Sequence, residues 1–200
     1  LNVDPYLGLF LAPFIGLAFG LVNGIVITQL NVHSFLATIA TSLIFKGIAV
    51  VISDGRLISV RDDAFTWLGR GRFLGIFNSI WMMVIFALVL TFLLTRTTFG
   101  RRVFAVGGNE EASILSGIRS DRIKIATFAL AGFAAGLASI ITTSRVALGQ
   151  ASAGQGLELQ AIAAVILGGT SIYGGQGAVW RSLAGVFLLA LINNGFNILN

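Results

Sequence analysis

Two hundred residues would ordinarily make one or two water-soluble domains. Composition excludes that here: apolar residues make up 56% and charged residues 10% of the chain, against about 25% charge in a soluble domain. The net charge of +5 does not point to nucleic acid, because the basic residues lie between apolar blocks and show no clustering with stacking aromatics.

The charged residues divide the chain into windows. From Pro5 to Phe45 there is no Lys, Arg, Asp or Glu. A bilayer core takes about 20 helical residues, so this window predicts two spans, 7–30 and 34–52, with the break at Asn31, His33 and Ser34. Inside lipid every backbone polar group must be paired internally, which turns windows of this length into helices. Gly16, Gly20 and Gly24 lie four apart in the first span, a spacing that lets helix backbones approach closely, within the chain or across a dimer. Lys46 falls in the outer half of the second span, where its stem can carry the ammonium outward. The segment 53–76 carries Arg56, Arg61, Arg70 and Arg72, diluted by Asp54, Asp62 and Asp63.

The window Phe73–Thr95 predicts a third span at 77–95, and Ile125–Ser144 a fourth at 124–143, where Gly132 and Gly136 repeat the small-residue spacing. Between them, 96–124 carries Arg96, Arg101, Arg102, Arg119, Arg122 and Lys124. Six basic residues against four favour 96–124 as the cytoplasmic side. Alternation then places 53–76 and 144–158 outside, and 31–33 and the turn at 170–180 inside. A short or interrupted helix is predicted at 159–170, because five glycines fall within Gly168–Gly177 and glycine at that density costs helix stability. A last span is predicted at 180–198. Near its end Asn193 and Asn197 lie one turn apart on one face, beside Asn194. They either pair with a neighbouring helix or line a polar path; Gly168, Gly169 and Thr170 are further candidates for that path. The fold class is therefore all-α, a polytopic transmembrane helical bundle with a short or interrupted helix around 159–177. The mean hydropathy of +0.93 and the 25 glycines fit packed membrane helices.

Enzymatic constellations are missing from the sequence. There is no cysteine, so no disulfide, zinc–thiolate or thiol chemistry is expected. The one histidine, His33, builds neither a metal site nor a triad alone. Glu110 and Glu111 are adjacent and diverge by about 100° on a helix, so they do not form an acid–base pair. No phosphate-binding loop and no H-E-x-x-H stand in the chain. Catalytic residues, a metal and a bound cofactor are all expected to be absent. There is also no row of membrane Asp or Glu of the kind proton-coupled carriers use, so the energy of a transporter would come from elsewhere.

The segment 99–122 is the most informative. Asn109 is a good N-cap, and Glu110 and Glu111 then occupy the first turn, where the helix dipole favours them. Ala112 to Ser116 continue the helix, with Leu115 among them, and Gly117 is a natural stop. The result is a two-turn helix flanked by loops. A helix this short is not stable alone. It either packs on its own spans or docks into a groove on a partner.

Phe104-Ala-Val-Gly-Gly-Asn-Glu-Glu-Ala-Ser-Ile-Leu-Ser-Gly-Ile118 closely resembles the cytoplasmic coupling segment of ribose-type sugar ABC importer permeases. The run from Glu158 to Gly177 resembles a second signature of that family, and so does Asn193-Asn194-Gly195. Weaker points are Phe35-Leu-Ala-Thr-Ile, Lys46-Gly47 and Asp54-Gly-Arg56. The resemblance covers nearly the whole chain in one order. It implies a multi-pass permease of the bacterial inner membrane, paired as two copies, with a separate ABC ATPase subunit that holds ATP and magnesium and an extracytoplasmic sugar-binding protein. Gly107, Gly108, Asn109, Glu110, Glu111, Ala112, Leu115, Ser116 and Gly117 would then sit in the ATPase groove. The implied activity is ATP-driven import of a pentose or hexose, without covalent chemistry on it. Family chains are longer, which fits a chain opening at Leu1 as a piece of a longer protein. His33-Ser34 stand where prolines are usual, Gln160 where an acid is usual and Arg181 where a small residue is usual, which bears on substrate detail more than on class. Branched-chain amino acid and nucleoside permeases share the superfamily and are the nearest alternatives; an ATP-independent channel or facilitator is the rival of another class.

Overall fold

Apolar stretches with no water to satisfy their backbone close their own hydrogen bonds, and the computed structural model shows the outcome over residues 5–60 and 62–199. Arg61, one of the cations weighed above, lies outside the described residues. Five helices among the described residues are long and apolar enough to cross a membrane: α1 (Pro5–Leu30), α2 (Ser34–Ser53), α4 (Asn78–Arg96), α7 (Ser120–Val146) and α9 (Val179–Leu199). The shorter helices are α3 (Asp63–Arg70), α5 (Thr98–Gly108), α6 (Glu110–Leu115) and α8 (Leu157–Leu167). Helix α7 begins four residues ahead of the expected 124, taking Asp121, Arg122 and Lys124 into its first turns. Charges mark where a helix leaves lipid, not where its hydrogen bonding starts.

The described residues form two compact units. The first spans 1–83 and 124–153. Here α1 and α7 run antiparallel through a seam of glycines. A Cβ on Gly24 would lie 2.8 Å from Ile125 Cα, one on Gly132 2.9 Å from Gly20 Cα, and one on Gly136 2.7 Å from Pro13 Cα. The small-residue stripes are thus spent on each other within one chain. Helix α2 turns back on α1 through Asn31, whose φ is +50°. It is held by Phe19 stacked on Phe45 at 4.1 Å and by Thr41 Oγ1 donating to Asn23 Oδ1 at 2.6 Å.

The segment expected outside is more structured than its composition suggests. Asp62 caps α3, accepting from Phe65 N at 2.8 Å. Ser144 of α7, fully buried, accepts from Gly69 N at 2.7 Å and donates to Phe65 O at 2.6 Å. Both α3 groups are thus bound by one hydroxyl, which ties the end of α3 to α7. Strand β1 (Ile58–Ser59) pairs antiparallel with β4 (Leu148–Gly149), Ile58 facing Gly149. Strands β2 (Arg72–Phe73) and β3 (Ile76–Phe77) form a hairpin over Leu74 and Gly75, at φ +55° and +80°, the positive angles a two-residue turn needs.

The second unit spans 84–123 and 154–200. Helix α8 has 11 residues, so it rises about 16 Å, half of a bilayer core of about 30 Å. It ends in a left-handed cap: Gly169 at φ +80° lets Thr170 N donate back to Val165 O at 3.1 Å. The chain then turns and packs α9 against α8 backbone to backbone. A Cβ on Gly185 would lie 2.8 Å from Gly168 N, and one on Gly168 2.7 Å from Arg181 C.

Very little of either unit is buried within the chain. The span windows are between 6% and 22% buried, and Phe92 and Phe187 are about two-thirds exposed. Such surface suits contact with lipid or with further apolar helices. The polar interior is complete: among the described residues no buried side-chain nitrogen or oxygen lacks a hydrogen-bond partner.

Candidate coupling surface and glycine turn

The segment between α4 and α7 holds two consecutive helices. The expectation of a short helix flanked by loops is corrected on its N-terminal side. Thr97 caps α5, accepting from Gly100 N at 3.3 Å, and α5 continues to Gly108. Two glycines at 107 and 108 suggested a loop. Both are helical, and at Gly107 the missing side chain lets the turn at 174–175 come close.

Asn109 breaks the helix, with φ −156° and ψ 103°, and at once starts the next one. Its Oδ1 accepts from Ala112 N at 2.9 Å, and Ser113 Oγ donates to its carbonyl at 2.8 Å. Glu110 and Glu111 occupy the first turn of α6. Helix α6 ends at Leu115, with Ser116 as its C-cap. Gly117 at φ +81° closes it, and Ile118 N donates to Ser113 O at 3.0 Å. Ser113 is buried and anchors the helix. Glu111, Ala112, Ser116 and Gly117 are exposed, as is Ile114, and Leu115 reaches 88% exposure. Helix α6 is thus a six-residue helix capped at both ends that shows a bare leucine.

The glycine turn after α8 meets this segment. A Cβ on Gly107 would lie 2.8 Å from Gly175 N, and one on Gly175 would lie 2.6 Å from Gly108 Cα. Gly174 and Gly175 are at φ +88° and +73°. Four glycines thus meet in a backbone clasp, closed to a side chain at 107, 174 and 175 and in ordinary contact at 108. Sequence reasoning treated the two glycine runs separately; each being a doublet was the available signal. The turn leaves Tyr173 97% exposed.

Beside the turn, Thr170 Oγ1 lies 3.5 Å from Ser182 Oγ. Gly168 and Gly169 line a cleft of about 340 Å³ between the end of α8 and the start of α9. Asn193, Asn194 and Asn197 are exposed along α9 and are not brought to this cleft. From Arg181 to Asn193 the helix rises about 18 Å, so the two sets of candidate path residues are separate features. Among the described residues no group of His, Cys, Asp and Glu is arranged to hold a metal ion.

Comparison with known proteins bears directly on this arrangement. The family model described as branched-chain amino acid transport system / permease component matches residues 1–200. The chain belongs to that permease family. Among curated relatives, the ribose import permease protein RbsC of Bacillus subtilis is 44% identical over 200 residues, covering 99% of this chain and 62% of that protein. RbsC of Escherichia coli K12 is 39% identical over 203 residues, covering 100% of this chain and 63% of that one. The L-arabinose transport system permease protein AraH of Escherichia coli K12 is 40% identical over 179 residues, covering 90% and 55%. The chain therefore spans under two-thirds of the length of these permeases. No solved structure matches it. With its apolar helices, the permease family places the chain as a multi-pass protein of the bacterial inner membrane.

Proposed function

We propose that this chain is the membrane-spanning part of an ABC importer permease that moves a sugar of the pentose or hexose class into the cytoplasm. Two of its relatives are named for ribose and L-arabinose, which favours a pentose. On this reading two permease copies work with a separate ATPase subunit, which holds ATP and magnesium, and with an extracytoplasmic sugar-binding protein. Selectivity then rests largely with the binding protein.

The observation that carries the reading is α6: short, capped by Asn109, closed by Gly117 and showing Leu115 to solvent. It would sit in a groove of the ATPase, with Glu110 and Glu111 meeting basic residues there. ATP binding draws two ATPase subunits together, and each carries its α6. The clasp hands that motion to the turn that joins α8 and α9, a switch between two packed arrangements. Gly168, Gly169 and Thr170 give that turn its mobility, and Asn193, Asn194 and Asn197, further along α9, are the proposed path contacts.

The test is a double substitution, Glu110→Arg with Glu111→Arg, in the full-length permease expressed with its ATPase. ATP-driven sugar accumulation is expected to fall more than tenfold while helical content is unchanged. Normal accumulation, or a permease that never co-purifies with a nucleotide-binding subunit, would overturn the proposal.

A further inference from the structure

The cleft between α8 and α9 combines features that the transport reading does not require. Its walls are apolar: Leu167 at the end of α8, and Ala184 and Leu188 on α9. Trp180 and Arg181 stand at one end of it. Arg181, Ala184 and Leu188 follow one another at three and four residues, so they form one stripe of α9 and run about 10 Å along it. The cleft is thus graded, cationic at the start of α9 and oily two turns on.

The guanidinium of Arg181 lies over the Trp180 ring, 5.5 Å from its centroid. Trp180 is 65% exposed and Arg181 is exposed. Among the described residues no carboxylate is placed against this guanidinium, which lines the cleft. Tryptophan beside arginine at the end of an apolar helix is an interfacial arrangement, where the ring sits at headgroup depth and the cation meets anionic lipid. The volume of about 340 Å³ exceeds what an inorganic anion fills and lies in the range of pockets for organic ligands. A free sugar matches the walls poorly, since only the backbone and one cation would meet its hydroxyls. A ligand with an anionic head and an apolar tail matches both ends.

We infer that this cleft holds one anionic phospholipid, its phosphate against Arg181 and one acyl chain along Ala184 and Leu188. Trp180 fixes the guanidinium from one side, so that its free edge is presented to the phosphate.

The test uses full-length permease purified from membranes and reconstituted in nanodiscs of phosphatidylcholine doped with phosphatidylglycerol or cardiolipin. Native mass spectrometry of the released protein counts retained lipid. The wild type is expected to retain one anionic phospholipid per chain, in preference to phosphatidylcholine and undisturbed by millimolar inorganic phosphate. Arg181→Ala should lower retention about fivefold, the effect of one interfacial cation, while Arg181→Lys keeps most of it. Leu188→Trp leaves the cation in place but fills the tail end, and should also lose the lipid. This second variant keeps the test decisive if Arg181→Ala fails to fold. Equal retention of phosphatidylcholine, displacement by inorganic phosphate, or unchanged retention in both variants overturns the inference. So does a switch from dimer to monomer in Arg181→Ala with lipid unchanged, which would make the cleft an interface between copies. None of these readouts involves ATP or sugar, so failure here is distinct from failure of the importer reading.

Discussion

The glycine seam between α1 and α7 can be tested by adding one methyl group. In Gly132→Ala the new Cβ would stand 2.9 Å from both the Cα and the N of Gly20, and closer still to the carbonyl oxygen of Gly16. Carbon atoms in ordinary contact sit about 3.5–4.0 Å apart. Both obstacles are backbone, so no rotamer change relieves them, and the helices must part by about 0.6 Å or more. A gap of that order forfeits a quarter to a half of each contact, at about 0.1–0.2 kcal/mol per atom pair. Over about 40 pairs along the seam the loss is about 1.5–3 kcal/mol, in line with overpacking elsewhere. Gly47→Ala is the matched control: it sits inside α2 with nothing within 4 Å of a new Cβ. There alanine should be neutral or stabilising by up to about 1 kcal/mol through helix propensity. Thermal unfolding of the full-length permease in detergent, followed by circular dichroism, separates the two. A Gly132→Ala protein as stable as the wild type, or a Gly47→Ala protein equally weakened, would refute the seam as a close backbone contact.

Removing the buried hydroxyl in Ser144→Ala should cost about 1–3 kcal/mol, since Gly69 N–H and Phe65 C=O lose their bridge; a lowered melting temperature with α3 amides exchanging faster is the expected record. Asn109→Ala should weaken α6 by about 1 kcal/mol and raise hydrogen exchange at 112–116 about fivefold, while Asn109→Asp restores protection. Gly175→Ala meets both a positive φ and a backbone wall 2.6 Å away, whereas Gly117→Ala meets only the φ, with nothing within 4 Å. The first is therefore expected to cost more than the second, each within about 1–3 kcal/mol for the strained backbone alone. On the proposed reading Gly175→Ala should also stop sugar uptake while the ATPase still binds. Equal melting temperatures for these two variants would remove the clasp from the account.

Much of this architecture was legible because lipid leaves the backbone few options. The uncharged windows around 7–30, 34–52, 77–95, 124–143 and 180–198 each contain one long apolar helix. The glycine density after Leu167 announced that α8 would stop short. Charge patterning could not show the caps. Thr97 was invisible as the start of α5 because a threonine after an arginine reads equally well as the end of the preceding span. It also could not show Ser144, which looks like any hydroxyl near a span end until α3 is folded against it. The clasp is the clearest case. Gly107-Gly108 and Gly174-Gly175 are separated by more than sixty residues, and nothing in either run names the other. Their doublets say only that a backbone must come close to something.

The grouping of loops that alternation gives agrees with which loops touch inside each unit. Alternation groups 53–76 with 144–158 on one side, and β1 pairs with β4 while Ser144 holds α3. It groups 96–124 with 170–180 on the other, and Gly107 and Gly108 meet Gly174 and Gly175. Under the proposed function this pairing has a mechanical consequence. A force on α6 reaches α5 across Asn109, and reaches the α8–α9 turn across the close approach of Gly107 to Gly174 and Gly175. Backbone contacts have no rotamers with which to absorb a displacement, so a shift of α6 is passed on and not dissipated.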